Sequence, residues 1–97
     1  MLQIEWRSGA QDDLDQIFRY IVEFQPSAAW TIRDAINRQV ELLVDHPALG
    51  RFGRVPGTRE LVVPSTPYIV AYTVDSRRNV VQVLAVIHGA RLWPAEF

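Results

Sequence analysis

The stretch YIVAYTVDSRRNVVQVLAVI, residues 68–87, decides the fold that this sequence predicts. Its two ends, 68–74 and 80–87, are rich in β-branched and aromatic residues, a composition typical of strands. The polar segment DSRRN (75–79) between them is short enough to be a hairpin turn. The stretch therefore predicts two neighbouring antiparallel strands, and the rest of the chain can be placed around them.

A third strand is predicted immediately before this pair. TRELVV (58–63) has a similar composition, and the short segment PSTP separates it from residue 68. The segment ALGRFGRVPGTRE (48–60) that leads into it contains three glycines and a proline, which predicts a loop. Near the start of the chain, LQIEW (2–6) alternates in the manner of a short strand and is expected to extend the three-stranded meander.

Two amphipathic helices are predicted between the first strand and this loop. Ser8 is positioned to cap the first helix, and Gln25-Pro26 is expected to end it because the residue before a proline avoids the α region. Ser27 is positioned to cap the second helix, which is expected to end at His46-Pro47. Apolar residues recur at helical spacing in both, at Leu14, Ile17, Phe18, Ile21 and Val22 and then at Ile32, Ile36, Val40, Leu43 and Val44.

The resulting order β-α-α-β-β-β indicates an α+β fold in which a helical hairpin packs on an antiparallel sheet. Ninety-seven residues suffice for one modest core, so residues 1–97 are predicted to be a single domain. In the last strand, alternation is expected to place one set of side chains under the helices, namely Val81, Val83, Ala85 and Ile87. The opposite set, which ends in His88, is expected to face away from the helices. It is apolar enough that a partner chain is expected to cover it.

Composition argues against several classes of protein. No apolar run reaches the roughly 18 residues of a transmembrane helix and no secretory signal is visible, so a cytoplasmic location without membrane association is expected. The chain has no cysteine, and neither His46 nor His88 has a carboxylate at ligand spacing, so no metal site is predicted. Nucleotide-binding and serine hydrolase motifs do not occur either, and no cofactor is expected.

Charge is distributed unevenly along the chain. Residues 1–50 carry four arginines against eight acidic residues, whereas residues 51–91 carry six arginines against two. All ten basic residues are arginine, so none can act as an ordinary general base. The second half is therefore expected to present a basic surface that could meet an acidic partner or a phosphate.

One set of residues in this basic half could carry chemistry. Arg59 lies near the start of a predicted strand, while His88 and Arg91 lie at the end of the last one. Cleavage of a phosphodiester needs a base or acid near neutral pKa, which His88 could supply, and cations such as Arg59 and Arg91 to stabilise the developing charge. The alternative is structural: Arg59 pairs with Glu60 or Asp75, His88 is a half-exposed strand end, and Arg91 is solvated.

Two other groups of residues are predicted to be structural. The acidic residues of the first helix are expected to form a solvated face, at Asp12, Asp13 and Asp15. The tryptophans are expected to be core or partner-facing anchors, at Trp6, Trp30 and Trp93. They are scattered singly, without the basic and aromatic interleaving typical of single-strand nucleic-acid binders.

Four short motifs occur in a characteristic order along the chain. They are DL-x-x-I-x-x-Y-I (13–21), HP-x-L-G-R (46–51), PG-x-RE (56–60) and V-I-H-x-x-R (86–91). Together they resemble the RelE/ParE family of toxins from bacterial type II toxin–antitoxin systems. The resemblance extends over essentially the whole chain, and it implies the β-α-α-β-β-β fold already predicted from the periodicity.

The resemblance implies two different activities and one kind of partner. RelE-type members cleave messenger RNA on the ribosome with basic residues on the sheet, whereas ParE-type members poison DNA gyrase by protein contact. Both types are silenced by an antitoxin whose C-terminal segment wraps the toxin, so the resemblance implies a cognate antitoxin and inhibition of growth when it is absent.

The sequence favours the ParE-like branch, with DNA gyrase as the target. Lysine is absent, the net charge is −1 and no tyrosine follows Arg91, whereas docking into ribosomal RNA depends on many phosphate contacts. His88 keeps a second interpretation open, a ribosome-dependent endoribonuclease that uses His88, Arg59 and Arg91. A third is a family member that binds its antitoxin but has lost toxicity.

Overall fold

Residues 1–97 form two helices and five strands in the computed structural model. In chain order the elements are β1 (Gln3–Trp6), α1 (Ser8–Val22), α2 (Pro26–Leu42), β2 (Arg51–Phe52), β3 (Arg59–Val62), β4 (Tyr68–Asp75) and β5 (Val80–His88). Both helices pack on one side of a single sheet, which we call the helix face; the opposite side is the outer face. The predicted α+β arrangement of a helical hairpin on a sheet is confirmed.

The five strands lie in the order β1-β5-β4-β3-β2. β3, β4 and β5 form the predicted antiparallel meander, and β1 joins the β5 edge as a parallel strand. The predicted loop 48–60 in fact contains β2, in which Arg51 pairs with Glu60 and Phe52 with Arg59. Sequence periodicity does not reveal β2 because two residues are too few to show an alternation.

The predicted serine caps are wrong, because Ser8 and Ser27 lie inside their helices. The N-cap positions are Arg7 and Gln25, and neither side chain bonds the first turn. Pro26 is the first residue of α2. A backbone N–H at this position has no partner within the helix, so a proline there costs no hydrogen bond. Proline therefore starts the second helix rather than serving only to stop the first.

Both helices end a few residues before the predicted positions. α1 ends at Val22 and α2 at Leu42. The apolar pattern continues past α2 because Leu43, in the turn, is fully buried in the core. Neither helix has the length and apolar composition that a membrane span requires.

The hydrophobic core lies between the helices and the helix face of the sheet. Its largest fully buried side chains are Tyr72, Ile36, Leu43, Val40, Val63, Val70, Val81 and Val83. Trp6 packs against this core, whereas Trp30 remains 57% exposed with its ring edge against Phe18. The prediction of a core anchor is thus confirmed for Trp6, whereas a partner-facing role for Trp30 stays a prediction.

Tyr72 ties the segment after α2 to the centre of the sheet. Its hydroxyl donates to the Pro47 carbonyl at 2.8 Å and accepts from the Gly50 amide at 2.8 Å. A Cβ atom at position 50 would lie 2.7 Å from the Tyr72 ring, so only glycine permits this approach. The H-P-x-L-G-R motif is therefore a docking segment for a buried tyrosine.

A β-bulge in β5 changes which side chains face the helices. Ala85 pairs with Ala71, but the next residue of β4, Tyr72, pairs with Val83, which leaves Leu84 as an extra residue. Beyond Leu84 the alternation is reversed. The expectation that His88 faces away from the helices is therefore wrong: it pairs with Tyr68, a core residue on the helix face.

The chain itself covers much of the outer face of the sheet. Ala71 is fully buried and both Leu84 and Ala85 are 7% exposed, although none of them lies under a helix. The loop around Val55 and three C-terminal residues, Trp93, Glu96 and Phe97, lie on this side. The centre of this face is therefore buried without a partner chain, and the expected cover by a partner stays a prediction.

Candidate binding cleft at the end of β5

A cleft of about 440 Å³ lies between α1 and the C-terminal end of β5. Most of the side chains that line it can form hydrogen bonds or carry charge. They are Asp13, Gln16, Ile17, Tyr20, Tyr68, Val86, His88 and Arg91. The bulge in β5 creates this site, because without the reversed alternation His88 would point to the outer face.

His88 is the last residue of β5 and is held in one orientation. Its ring lies edge-on to Tyr68, with centroids 5.7 Å apart, and its Nδ1 accepts from the Ala90 amide at 3.1 Å. In the neutral ring the proton must then be on Nε2, which is free to donate. The site thus presents one oriented imidazole N–H, as a phosphate or carboxylate ligand would need.

Asp13 reaches the cleft from α1, and the expectation that it belongs to a solvated face is wrong. β1 pairs with β5 only as far as Trp6 and Val83, so the strand edge beyond them has no strand partner. The Asp13 Oδ2 fills this gap by accepting from the Val86 amide at 3.0 Å. Asp13 stands four residues before Ile17, on the helix stripe that faces the sheet, and this spacing is the sequence signal for its role.

The environment of Asp13 raises its pKa above that of an ordinary aspartate. Burial raises the pKa of this carboxyl, and the charge of neighbouring Asp12 adds to the increase. The hydrogen bond from Val86 and the positive charge of Arg91 act in the opposite direction but do not cancel the effect of burial. The cleft therefore holds a carboxyl whose proton affinity is higher than usual.

Arg91 lies three residues after the end of β5. Its backbone amide donates to the His88 carbonyl at 3.0 Å, which forms a tight turn after β5. Its side chain is exposed and lines the cleft together with His88. Of the three candidate residues named from the sequence, His88 and Arg91 are therefore brought together.

Arg59, the third candidate, does not line this cleft. It pairs with Tyr72, four residues along β4 from the partner of His88, so it lies about 13 Å further along the sheet. Its Nη1 donates to the Gly50 carbonyl at 2.8 Å, and its guanidinium lies 4.4 Å from the centre of the Phe52 ring. Arg59 thus binds the H-P-x-L-G-R segment (46–51), which packs on Tyr72, and not the cleft.

Glu60 is held by two other arginines, and the predicted pairing of Arg59 with Glu60 or Asp75 is not observed. Arg51 Nη2 donates to Glu60 Oε1 at 3.0 Å, and Arg54 Nε donates to Oε2 at 3.1 Å. Burial by itself raises the pKa of Glu60, but the hydrogen bonds from Arg54 and Arg51 together lower it to about 2. Glu60 is thus a charged anchor for two arginines of the basic half.

No group of histidine, cysteine and acidic side chains in the chain is arranged to hold a metal ion. The chemistry available in the cleft is that of Asp13, His88 and Arg91 with the tyrosine hydroxyls. These groups can bind an anion or a polar side chain and can exchange a proton. Arg59 is not among the residues that line the cleft, so the predicted pair of arginines beside His88 is not formed.

Two sequence relationships connect the chain to known toxins. A family model described as the ParE toxin of the type II toxin–antitoxin system parDE matches residues 4–93. The Sinorhizobium fredii protein Y4kP, which bears a provisional toxin designation, is 38% identical over 92 residues, which cover 95% of this chain and 93% of Y4kP. The resemblance inferred from the four sequence motifs is thereby confirmed.

Solved structures have the same fold. A chain of the chromosomal ParDE toxin–antitoxin system from P. aeruginosa matches with a TM-score of 0.80 at 28% identity, covering 91% of this chain and 96% of that one. A chain of the intact E. coli RelBE toxin–antitoxin complex matches with a TM-score of 0.70 at 15% identity, covering 94% and 100%, which establishes the shared fold alone. The chain belongs to the ParE family, the toxins of type II toxin–antitoxin systems.

Proposed function

We propose that this toxin inhibits growth by binding a protein target, DNA gyrase, and that a cognate antitoxin neutralises it in the cytoplasm. Gyrase is the target that the ParE branch of the family implies. The match to the ParE model over residues 4–93 supports this branch, as does a net charge of −1, which is unfavourable for docking into ribosomal RNA.

The observation that carries the proposal is that three of the six arginines of the basic half are paired with acidic side chains of the chain itself. Arg51 and Arg54 bind the buried Glu60, and Arg78 binds Glu5 at 2.6 Å. A ribonuclease needs such cations free to contact phosphates and to stabilise the transition state. Their internal pairing leaves a surface better suited to protein contact than to RNA.

A cognate antitoxin is supported by the relatives and by exposed aromatic residues. The P. aeruginosa relative is described as part of a ParDE system, and the E. coli structure is a RelBE complex. On α1, Tyr20 and Phe24 are 67% and 68% exposed and their rings are in contact, with centroids 5.3 Å apart. Exposed aromatic pairs of this kind are favourable anchors for a partner chain.

The cleft supports a second candidate function, the ribosome-dependent endoribonuclease. His88 presents an oriented Nε2–H beside Arg91, and Asp13 could exchange a proton there. Arg59 would have to act from outside the cleft. This candidate therefore depends on His88 and Arg91, and their removal would distinguish the two functions.

The test is induced expression in cells that lack the antitoxin, with gyrase-linked DNA breaks and message cleavage measured together. We expect trapped breaks and filamentation, without codon-phased cuts by primer extension. The variants His88→Ala and Arg91→Ala, with the exposed turn variant Arg77→Ala as control, test the nuclease: cuts that disappear only with the first two variants would establish it. Rapid message cleavage with gyrase unaffected would overturn the proposed function.

A further inference from the structure

The cleft between α1 and the end of β5 combines hydrogen-bond donors with an acidic group, and this mixture restricts the ligands that it can bind. His88 presents its Nε2–H, because its Nδ1 already accepts from the Ala90 amide at 3.1 Å. Arg91 lines the same cleft with an exposed side chain. An imidazole N–H beside a guanidinium favours an anion with at least two oxygen atoms.

Asp13 adds a carboxylate to these donors. Its Oδ2 accepts from the Val86 amide at 3.0 Å, whereas its Oδ1 has no donor within the chain. The positive charge of Arg91 acts on this carboxyl, which places the two groups close together. An anion that approaches His88 and Arg91 therefore meets a negative charge, unless the anion itself donates a hydrogen bond to Oδ1.

This requirement divides the common anions into two groups. Sulfate, carboxylates and phosphodiesters carry no proton near neutral pH, so Asp13 repels them. A phosphate monoester takes up a proton with a pKa of about 6, and inorganic phosphate carries one throughout this range. Burial raises the pKa of Asp13, so this carboxylate accepts a ligand's proton more readily than an ordinary aspartate.

The cleft is larger than a phosphate group alone. Its volume of about 440 Å³ lies in the range of sites that bind small molecules. Ile17 and Tyr20 line it beside the polar groups, and the Tyr20 side chain is 67% exposed. This additional surface can contact the organic part of a monoester.

We propose that the cleft is a binding site for a phosphate group that carries a proton, either inorganic phosphate or a phosphate monoester. His88 and Arg91 bind two of its oxygen atoms, and its hydroxyl donates to Asp13 Oδ1. Asp13 thereby selects against anions that have no proton to donate. The site does not depend on the identity of the toxin's target.

The experiment titrates the full-length chain with inorganic phosphate and with sulfate near pH 6 at constant ionic strength, and follows backbone amide shifts by NMR. We expect phosphate to bind about tenfold more tightly than sulfate, because only phosphate satisfies Asp13. Dimethyl phosphate, a diester, should bind as weakly as sulfate. Shifts at Val86 and His88 report that the anion occupies this cleft.

Phenyl phosphate distinguishes a monoester from free phosphate as the preferred ligand. We expect it to bind more tightly than inorganic phosphate, because its ring can contact Ile17 and Tyr20. Equal binding of the two would also support the site, with free phosphate as its ligand.

Variants of the lining residues test their separate roles. Asp13→Asn keeps an acceptor for the Val86 amide but places an amide N–H in the cleft, so we expect phosphate and sulfate to bind it equally within about twofold. His88→Ala and Arg91→Ala should each weaken phosphate binding about tenfold. Arg77→Ala, in the exposed turn before β5, is the control for net charge and should leave it unchanged. Thermal unfolding verifies that each variant is folded.

Three results would overturn the proposal. They are equal binding of phosphate and sulfate by the wild-type chain, an unchanged preference for phosphate in the folded Asp13→Asn variant, and equal weakening by Arg77→Ala and Arg91→Ala. Dimethyl phosphate that binds as tightly as inorganic phosphate would also contradict it, since the cleft would then accept a phosphodiester such as RNA.

Discussion

Glu60 is the one charged residue among the buried side chains, and it shows how a single carboxylate organises its surroundings. Its folded-state pKa of about 2 lies below the ordinary value of 4.5. A depressed acid pKa stabilises the fold above the unfolded value, and this contribution is lost as the pH falls from about 4.5 toward 2. Its size is about 2–3 kcal/mol at neutral pH, toward the lower end because both arginine partners are half exposed.

We therefore expect Glu60→Gln to lower the free energy of unfolding at pH 7 and to flatten its decline between pH 4.5 and 2. Urea unfolding across this pH range measures both effects. The exposed Glu41→Gln is the control and should retain the wild-type slope. An unchanged slope in Glu60→Gln would contradict the assigned pKa.

Tyr72→Phe removes one hydroxyl that serves two backbone groups. Without it the Gly50 amide and the Pro47 carbonyl lose their partner in a partly buried site. We expect a loss of about 1–3 kcal/mol in the free energy of unfolding, measured by chemical denaturation. Tyr20→Phe is the matched control, since that ring is 67% exposed and should change stability little.

At the scale of elements, α1 completes the edge of β5. The Asp13 carboxylate takes the place of a strand partner for the Val86 amide beyond the end of β1. We expect Asp13→Ala to destabilise the chain by about 1–2 kcal/mol and to speed hydrogen exchange at Val86, while Asp13→Asn keeps an acceptor and loses less. The exposed Asp12→Ala is the control; equal exchange at Val86 in both alanine variants would contradict this role.

The elements also show where sequence reasoning succeeds and where it stops. Helices and long strands were predictable because each repeats an apolar period over many residues. The bulge at Leu84 was not, since a strand that is apolar on both faces gives no sign of an extra residue. That extra residue places His88 on the helix face, so the sequence alone does not predict that His88 lines the cleft.

The candidate site was predictable only in part for the same physical reason. His88 and Arg91 are neighbours in the chain and therefore had to meet. The basic character of Arg59 suggests a place beside them, but its position depends on strand register, which places it beside Tyr72. The charge of Asp13 predicts exposure to solvent, although its position on the apolar stripe of α1 faces the sheet.

At the scale of the whole molecule, the pairing of its arginines predicts weak binding to RNA. Arg51, Arg54 and Arg78 would have to give up protein partners to contact phosphates. We expect the salt dependence of binding to a single-stranded RNA oligonucleotide to correspond to only about one or two phosphate contacts. Fluorescence anisotropy over a range of salt measures it, and a steep slope would indicate a real RNA-binding surface.

The chain belongs to the ParE toxin family, but membership of the family does not by itself identify the protein that the toxin binds. A toxin that acts by protein contact should inhibit its purified target without any other cellular component. The most direct measurement adds the purified chain to purified DNA gyrase and supercoiled DNA, with a parallel translation reaction on a defined message. We predict inhibited supercoiling and stabilised DNA breaks, with the message intact. Codon-phased cuts in the message, with gyrase fully active, would contradict the account.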